Sequence, residues 1–227
     1  MKLLTHVRDL QNSDYKETWD LQENLHKKVV LEKENFGTAK INYLLFCEHP
    51  HVYTLGKSGE VNNLLANNQV LKEINATFYK TNRGGDITYH GPGQIVGYPI
   101  IDLEAAGLGI KKYVWALEES VIQTLKEFKI VSERLEGATG VWLDVNIPNK
   151  TRKICAIGVR TSKFVTMHGF AFNVNTDLKY FSYINPCGFI DKGVTSMKNE
   201  LGNKQQIDEV KEILKQNLAI YLNLDIH

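Results

Sequence analysis

The sequence predicts an α+β fold in which a mixed β-sheet is flanked by helices, in one domain over residues 1–227. Short apolar runs bounded by turn residues, at 41–47, 95–101 and 153–160, read as buried strands. Long stretches with apolar residues at helical spacing start near Ser13, Lys111 and Lys204. The two kinds of segment are interspersed, and the chain shows no internal repeat, low-complexity tract or linker.

Taken in order, residues 3–10 read as an opening strand. Ser13 or Asp14 then caps a helix with Glu17 in its first turn and apolar positions at Trp19, Leu21, Leu25, Val29 and Val30, ending near Asn35-Phe36-Gly37. The strand at 41–47 is broken by Glu48-His49-Pro50-His51, and 52–55 resumes in extended form. Residues 60–75 are helical or irregular, 77–80 form a short strand, and a glycine-rich loop leads to a buried strand ending at Asp102. Residues 111–129 carry a wide apolar stripe, from Val114 and Trp115 to Leu125 and Phe128, that suits a helix packed on a sheet. Strands follow at 140–143, 153–160 and 168–175, the last two paired. Asp177 caps a helical turn through Phe181, Asn185-Pro186-Cys187-Gly188 is a loop, and 204–222 is a closing amphipathic helix.

A chain of 227 residues is long enough to bury a sizeable core. Its 43% hydrophobic and 23% charged residues are the composition of a soluble globular enzyme. A net charge of +1 argues against a protein built to neutralise nucleic-acid phosphate. The three cysteines, Cys47, Cys155 and Cys187, include no C-x-x-C pair, which excludes a zinc ribbon or disulfide framework and suits a reducing compartment. The N-terminus lacks an apolar leader, and no apolar run spans a bilayer, so a cytoplasmic protein away from membranes is expected.

The stretch from Arg83 to Pro99 holds five of the seventeen glycines. Glycine is costly in ordered backbone, so this density points to positive-φ turns or a backbone in close approach to something else. Arg83, Thr88, His90 and Gln94 share the stretch, which favours a ligand-lining loop over a plain hairpin corner. Two phosphate-binding patterns fail. Gly56-Lys57-Ser58 would need a glycine at position 51, which is His51, and the third glycine of a fingerprint starting at Gly91 falls on Val96. Cys47, Glu48, His49 and His51 have no downstream residues that complete a four-ligand metal set.

Cys187 sits between proline and glycine in a loop, whereas Cys47 and Cys155 lie inside apolar strands as small core residues. Lys153 opens an apolar run that carries its amine to the edge of a sheet. Singly, a loop cysteine is often inert and a lysine is often a solvated charge. Together they suit two-step acyl transfer. A free thiol is only a few per cent thiolate at neutral pH. An ammonium about 4 Å away contributes roughly 4 kcal/mol at an effective dielectric near 20, enough to make the thiolate dominant. A partly desolvated lysine in turn loses pKa and exchanges protons with its neighbours.

Arg83-Gly84-Gly85-x-x-Thr88-Tyr89-His90-x-Pro92-Gly93-Gln94-x-x-x-Tyr98-Pro99 resembles the signature of the lipoyl(octanoyl) transferases. Glu48-His49-Pro50-x-Val52-Tyr53-Thr54-Leu55-Gly56, Lys153-Ile154-x-Ala156-Ile157-Gly158, His168-Gly169-x-Ala171-x-Asn173 and Pro186-Cys187-Gly188 are similar to further blocks of that family, in its order and spacing. The resemblance implies the fold of biotin- and lipoate-protein ligases. It implies an enzyme that moves octanoyl from octanoyl-acyl carrier protein to lipoyl domains of 2-oxoacid dehydrogenases and the glycine cleavage H protein, as the first step of lipoate biosynthesis. Cys187 would be the acyl-thioester nucleophile and Lys153 its proton-transfer partner, with no ATP, metal or redox cofactor. The acyl chain would be lined by Arg83, Gly84, Gly85, Asp86, Ile87, Thr88, Tyr89 and His90, by Ala156, Ile157 and Gly158, and by Gly169, Phe170 and Ala171.

One departure is Cys155, where the family pattern has a small residue such as alanine; it is expected to place a second thiol near the site. The rival readings are an ATP-dependent lipoate or biotin ligase, a non-catalytic acyl-binding domain, and a cysteine hydrolase pairing Cys187 with His168 or His90. The role of His90 stays open between orienting the thioester and a structural hydrogen bond. Lys57, Lys150, Arg152 and Lys163 are candidate contacts for an acidic carrier protein.

Overall fold

The computed structural model of the chain describes residues 2–185 and 192–227, so Pro186, Cys187 and Gly188 lie outside the described residues. Strand β1 (Leu3–Asn12) leads into α1 (Tyr15–Phe36). Asp14 starts this helix by accepting from the N–H groups of Lys16 and Glu17. Gly37 stops it in the left-handed region, at φ 79°, with its N–H returned to the Lys33 carbonyl.

Strands β2 (Asn42–Glu48), β3 (Val52–Leu55), β4 (Thr77–Lys80), β5 (Ile87–His90) and β6 (Gln94–Ile100) follow, with the short helix α2 (Asn68–Glu73) before β4. Helix α3 (Ile110–Glu127) precedes β7 (Glu133–Leu135), β8 (Ala138–Leu143), β9 (Arg152–Ser162) and β10 (Val165–Asn173). A 3-10 turn at Leu178–Tyr183 is capped by Asp177. Then come β11 (Gly193–Val194), α4 (Met197–Leu201), α5 (Ile207–Tyr221) and β12 (Leu224–Ile226).

The larger sheet has the order β12-β1-β2-β6-β10-β9-β8-β7, with β11 also paired to β9. It is mixed: β1 runs parallel to β2 and β12, while β2, β6, β10, β9 and β8 alternate in direction. Alternate side chains serve opposite faces. Leu44 and Phe46 of β2 and Ile95 of β6 join α3 and α5 in one core. Tyr43, Leu45, Cys47, Val96, Tyr98 and Ile100 pack with Leu25 and Val29 of α1 in the other. Burial on both faces is why β2 and β6 read as continuous apolar runs. A smaller sheet, β4-β3-β5, packs its own cluster around Tyr53, Leu55, Leu71, Ile87 and Tyr89.

Three features differ from the sequence reading. The glycine-rich stretch is not loop throughout but contains β5, whose pairing with β3 supplies the ladder that its glycine neighbours obscure. Strands β7, β11 and β12 are three residues or fewer, too short to show a period. Helix α4, five residues long and capped by Ser196, falls within a segment of mixed polarity.

Candidate active site

A cavity of about 690 Å³ lies on the α1 side of the larger sheet, with β5 and the loop before it on the other side. Its sheet wall is paved with small residues. Ala156 of β9 is the register partner of Ala171 in β10, and Gly158 is the partner of Gly169. All four line the cavity. Two cross-strand pairs without bulky side chains leave a trough, and Ile87, Val96, Ile157, Phe170, Leu178 and Phe181 make its surroundings apolar.

Lys153 also lines the cavity, and an irregularity in its strand places it there. Val141 faces Cys155 and the next residue, Trp142, faces Lys153, so Ile154 is an extra residue in β9. This is a β-bulge, a device that re-aims side chains. Ile154 and Cys155 both enter the core, and Lys153 is turned to the cavity rather than sharing the face of Cys155. Its ammonium stands 4.5 Å from the centroid of the Trp142 ring. Such a cation–π contact contributes roughly 0.5–2 kcal/mol. The Trp142 indole is itself fixed by donating to the Ala138 carbonyl at 2.9 Å. The stem of Lys153 runs over Gly140, where a Cβ would come within 3.4 Å of Cε and 2.6 Å of the Cys155 carbonyl oxygen. Gly140 also has φ 127°, which L side chains rarely adopt.

From the glycine-rich stretch, Arg83, Gly85, Asp86, Ile87, Thr88 and His90 line the cavity. Arg83 is buried and donates to the Thr54 carbonyl at 2.5 Å, to the Thr54 hydroxyl and to the Gly84 carbonyl, clasping the loop to β3. Gly84 and Tyr89 are placed differently. Gly84 donates to the Val159 carbonyl, tying the loop to β9. Tyr89 faces away, stacked on Tyr180 with its hydroxyl hydrogen-bonded to His51 Nδ1 at 2.7 Å.

His90 donates from Nδ1 to the Gln94 amide oxygen at 2.9 Å. The Gln94 amide donates to Asn173 Oδ1, and the Asn173 amide donates to the Thr195 carbonyl. The Thr195 N–H closes the chain on the Lys153 carbonyl. Burial first, then the neighbouring His49 ring and the Arg83 guanidinium, lowers the His90 pKa to about 3. A ring so held is neutral at physiological pH and fixed by its partners, the features of a structural hydrogen bond.

The Cys187 assignment falls outside the described residues, but its described neighbours in sequence, Asn185 and Lys192, both line the cavity. Cys155 is the small core residue expected of its strand, so the second thiol near the site is a sealed one. It is fully buried in the core, and burial pushes its thiol well above the ordinary range. The Glu48–His51 segment serves the scaffold: Glu48 accepts from the Gly93 N–H at 2.6 Å, and His49 bridges the Ser13 carbonyl and the Tyr98 hydroxyl. Arg152 and Lys163 are paired internally, the first with Asp144 and Glu200, the second with Glu34. Sequence reasoning missed Trp142, Gly140 and Tyr15 as site residues; a glycine and an aromatic on the strand beside the lysine strand were the available signal for the first two.

The larger mixed sheet thus carries an apolar trough with a lysine set at a β-bulge on its wall. In overall fold the chain is similar to lipoate-protein ligase A bound with ATP (TM-score 0.68, 17% identity, covering 100% of this chain and 88% of that one). A biotin protein ligase from Aquifex aeolicus is more distant (TM-score 0.54, 14% identity, 96% and 70% covered). Residues 14–219 match the lipoyl protein ligase A/B catalytic domain, and the chain belongs to that family. Within it, the chain is similar to octanoyltransferases of Bacteroides fragilis (56% identity over 222 residues, 98% of this chain and 99% of that one) and Christiangramia forsetii (59% over 214 residues, 92% and 91%). It is an acyltransferase of the lipoyl or octanoyl type.

Proposed function

We propose that the protein transfers octanoyl from octanoyl-acyl carrier protein to the lysine amine of lipoyl domains through a thioester on Cys187, as the first step of lipoate biosynthesis. Residues 1–227 act as one catalytic unit in this reading. The observation that supports it most is Lys153 on an apolar trough that also reaches Asn185 and Lys192, on either side of Cys187 in sequence.

The Cys187 thiolate attacks the donor thioester carbon; a C–S bond forms to the enzyme and the bond to the carrier's sulfur breaks. The departing thiolate takes a proton from the Lys153 ammonium. The acceptor amine then attacks the enzyme thioester and the C–S bond to Cys187 breaks. The amine's proton passes to Lys153, restoring the thiolate–ammonium pair. Thioester exchange is nearly isoenergetic and formation of the amide is downhill. The acceptors in this reading are the lipoyl domains of 2-oxoacid dehydrogenases and the glycine cleavage H protein.

The test compares two donors with the same lipoyl domain. Octanoyl carrier protein without ATP is expected to support transfer, and free octanoate with Mg-ATP is not. Faster transfer from the free acid and ATP would replace this mechanism with that of a ligase.

A further inference from the structure

His168 is the one residue of β10 with a left-handed backbone, at φ 59°. The register from Phe170–Gly97, resumed at Val165–Asp102, sets Pro99 of β6 opposite it. Proline has no N–H for a ladder. The His168 N–H leaves the sheet and donates to the Gln22 amide oxygen of α1 at 3.1 Å. Strain of this kind persists only where the surroundings hold it, and it marks functional positions.

The imidazole lines the cavity and is 1% exposed. Its Nε2 donates to Asn82 Oδ1 at 2.7 Å, which leaves Nδ1 as an acceptor. Burial, then Arg83 and Arg160, holds the ring neutral, with a pKa lowered to about 3. His168 Nδ1 has no hydrogen-bond partner among the described residues, and neither do the indole N–H of Trp19 and the amide nitrogen of Gln22. The three belong to one cluster: the Trp19 and His168 ring centroids are 6.3 Å apart, and Gln22 touches the His168 backbone. His168 lines the cavity, and Trp19 and Gln22 stand against it from α1, so two buried donors and one buried acceptor lie in the same neighbourhood. A hydroxyl oxygen satisfies all three, accepting from Trp19 and Gln22 and donating to His168.

The cluster lies away from Lys153. His168 pairs with Val159, six residues further along β9 than Lys153, and the small-residue trough runs between. We propose that Trp19, Gln22 and His168 form a polar floor at the far end of the acyl cavity, occupied by one water molecule, and that this floor limits the length of alkyl chain accepted. The inference rests on the acyl-transfer reading of the site. An alkyl chain long enough to reach the floor expels the water and leaves three buried polar groups unpaired. Each such unpaired group penalises the bound state, whereas a shorter chain stops in the apolar trough.

The test is calorimetric binding of free saturated acids of increasing length, alongside transfer rates from the matching carrier thioesters, in the wild type, Trp19→Phe and Gln22→Met. Trp19→Phe keeps the ring and removes the donor. The expected result is a sharp drop in wild-type affinity beyond a certain length. In Trp19→Phe the ratio of long-chain to octanoate affinity should rise about fivefold or more. An ω-hydroxy acid of the disfavoured length, whose hydroxyl takes the water's bonds, should bind the wild type better than its alkyl counterpart. Equal ratios in wild type and both variants, with unchanged thermal midpoints, would overturn the polar floor. Absence of transfer from every thioester, with the length limit still seen in free-acid binding, would instead remove the transferase mechanism and leave the floor standing.

Discussion

Lys153 is held by three neighbours that a side-chain inventory does not weigh: the extra residue Ile154, the face of Trp142 and the missing side chain of Gly140. Replacing Lys153 by alanine is expected to lower acyl transfer about 10²- to 10⁴-fold, the usual range for a proton-transfer group, with a thermal midpoint close to wild type. A variant with near-normal transfer would remove Lys153 from the chemistry. Gly140→Ala is expected to lower both stability and transfer, because its methyl would collide with the Cys155 carbonyl, beside the lysine stem, at an unfavourable φ. Thermal denaturation and initial rates on the same preparation check this together. Alkylation of the native protein should modify Cys187 before Cys47 or Cys155, both of which are buried; peptide mapping of the first adduct decides it. At this scale the motif residues were legible, since Lys153 and the small residues announce themselves by type. The bulge was not, because it exists only in the mismatch between two strands. Cys155 illustrates the difference, adjacent in sequence and sealed in the core.

The acyl trough belongs to the pairing of β9 with β10, which sets alanine beside alanine and glycine beside glycine. Ala171→Leu is expected to fill it, weakening binding of an octanoyl group by at least tenfold while the strand itself persists, leucine being apolar and the site lined by apolar neighbours. Unchanged affinity for octanoate, measured by calorimetry, would place the acyl chain elsewhere. The helix ends were readable because capping is local chemistry: Asp14 and Gly37 act where their types suggest. Strand β5 was hidden among glycines, since its evidence is the ladder to β3, a segment more than thirty residues earlier. Pro99 inside a central strand had a consequence that sequence could not express, the turning of His168 out of the ladder.

Over the whole molecule, buried histidines make stability depend on pH, and His49, His90 and His168 are the most strongly shifted. Burial lowers the pKa of His90 and His168 to about 3 and that of His49 to about 4. Unfolding returns each to an ordinary value near 6.5. Between these limits the unfolded chain binds protons that the folded chain does not, so stability rises with pH across the window and is full above it. The urea midpoint is expected to be clearly lower at pH 5 than at pH 7, and an unchanged midpoint would show these rings to be solvated. The larger architecture was legible in outline because the sheet is covered on both faces and its strands are correspondingly apolar. Its closing strand, β12, was not, because three residues carry no period and its partner β1 is at the other end of the chain.

Everything in the proposed reaction turns on Cys187 carrying the acyl group. Intact-protein mass spectrometry after mixing with octanoyl carrier protein, without acceptor or ATP, tests it most directly. One added octanoyl group is expected, mapping to Cys187 and disappearing when a lipoyl domain is supplied. No adduct, with transfer appearing only when ATP and free octanoate are present, would contradict it.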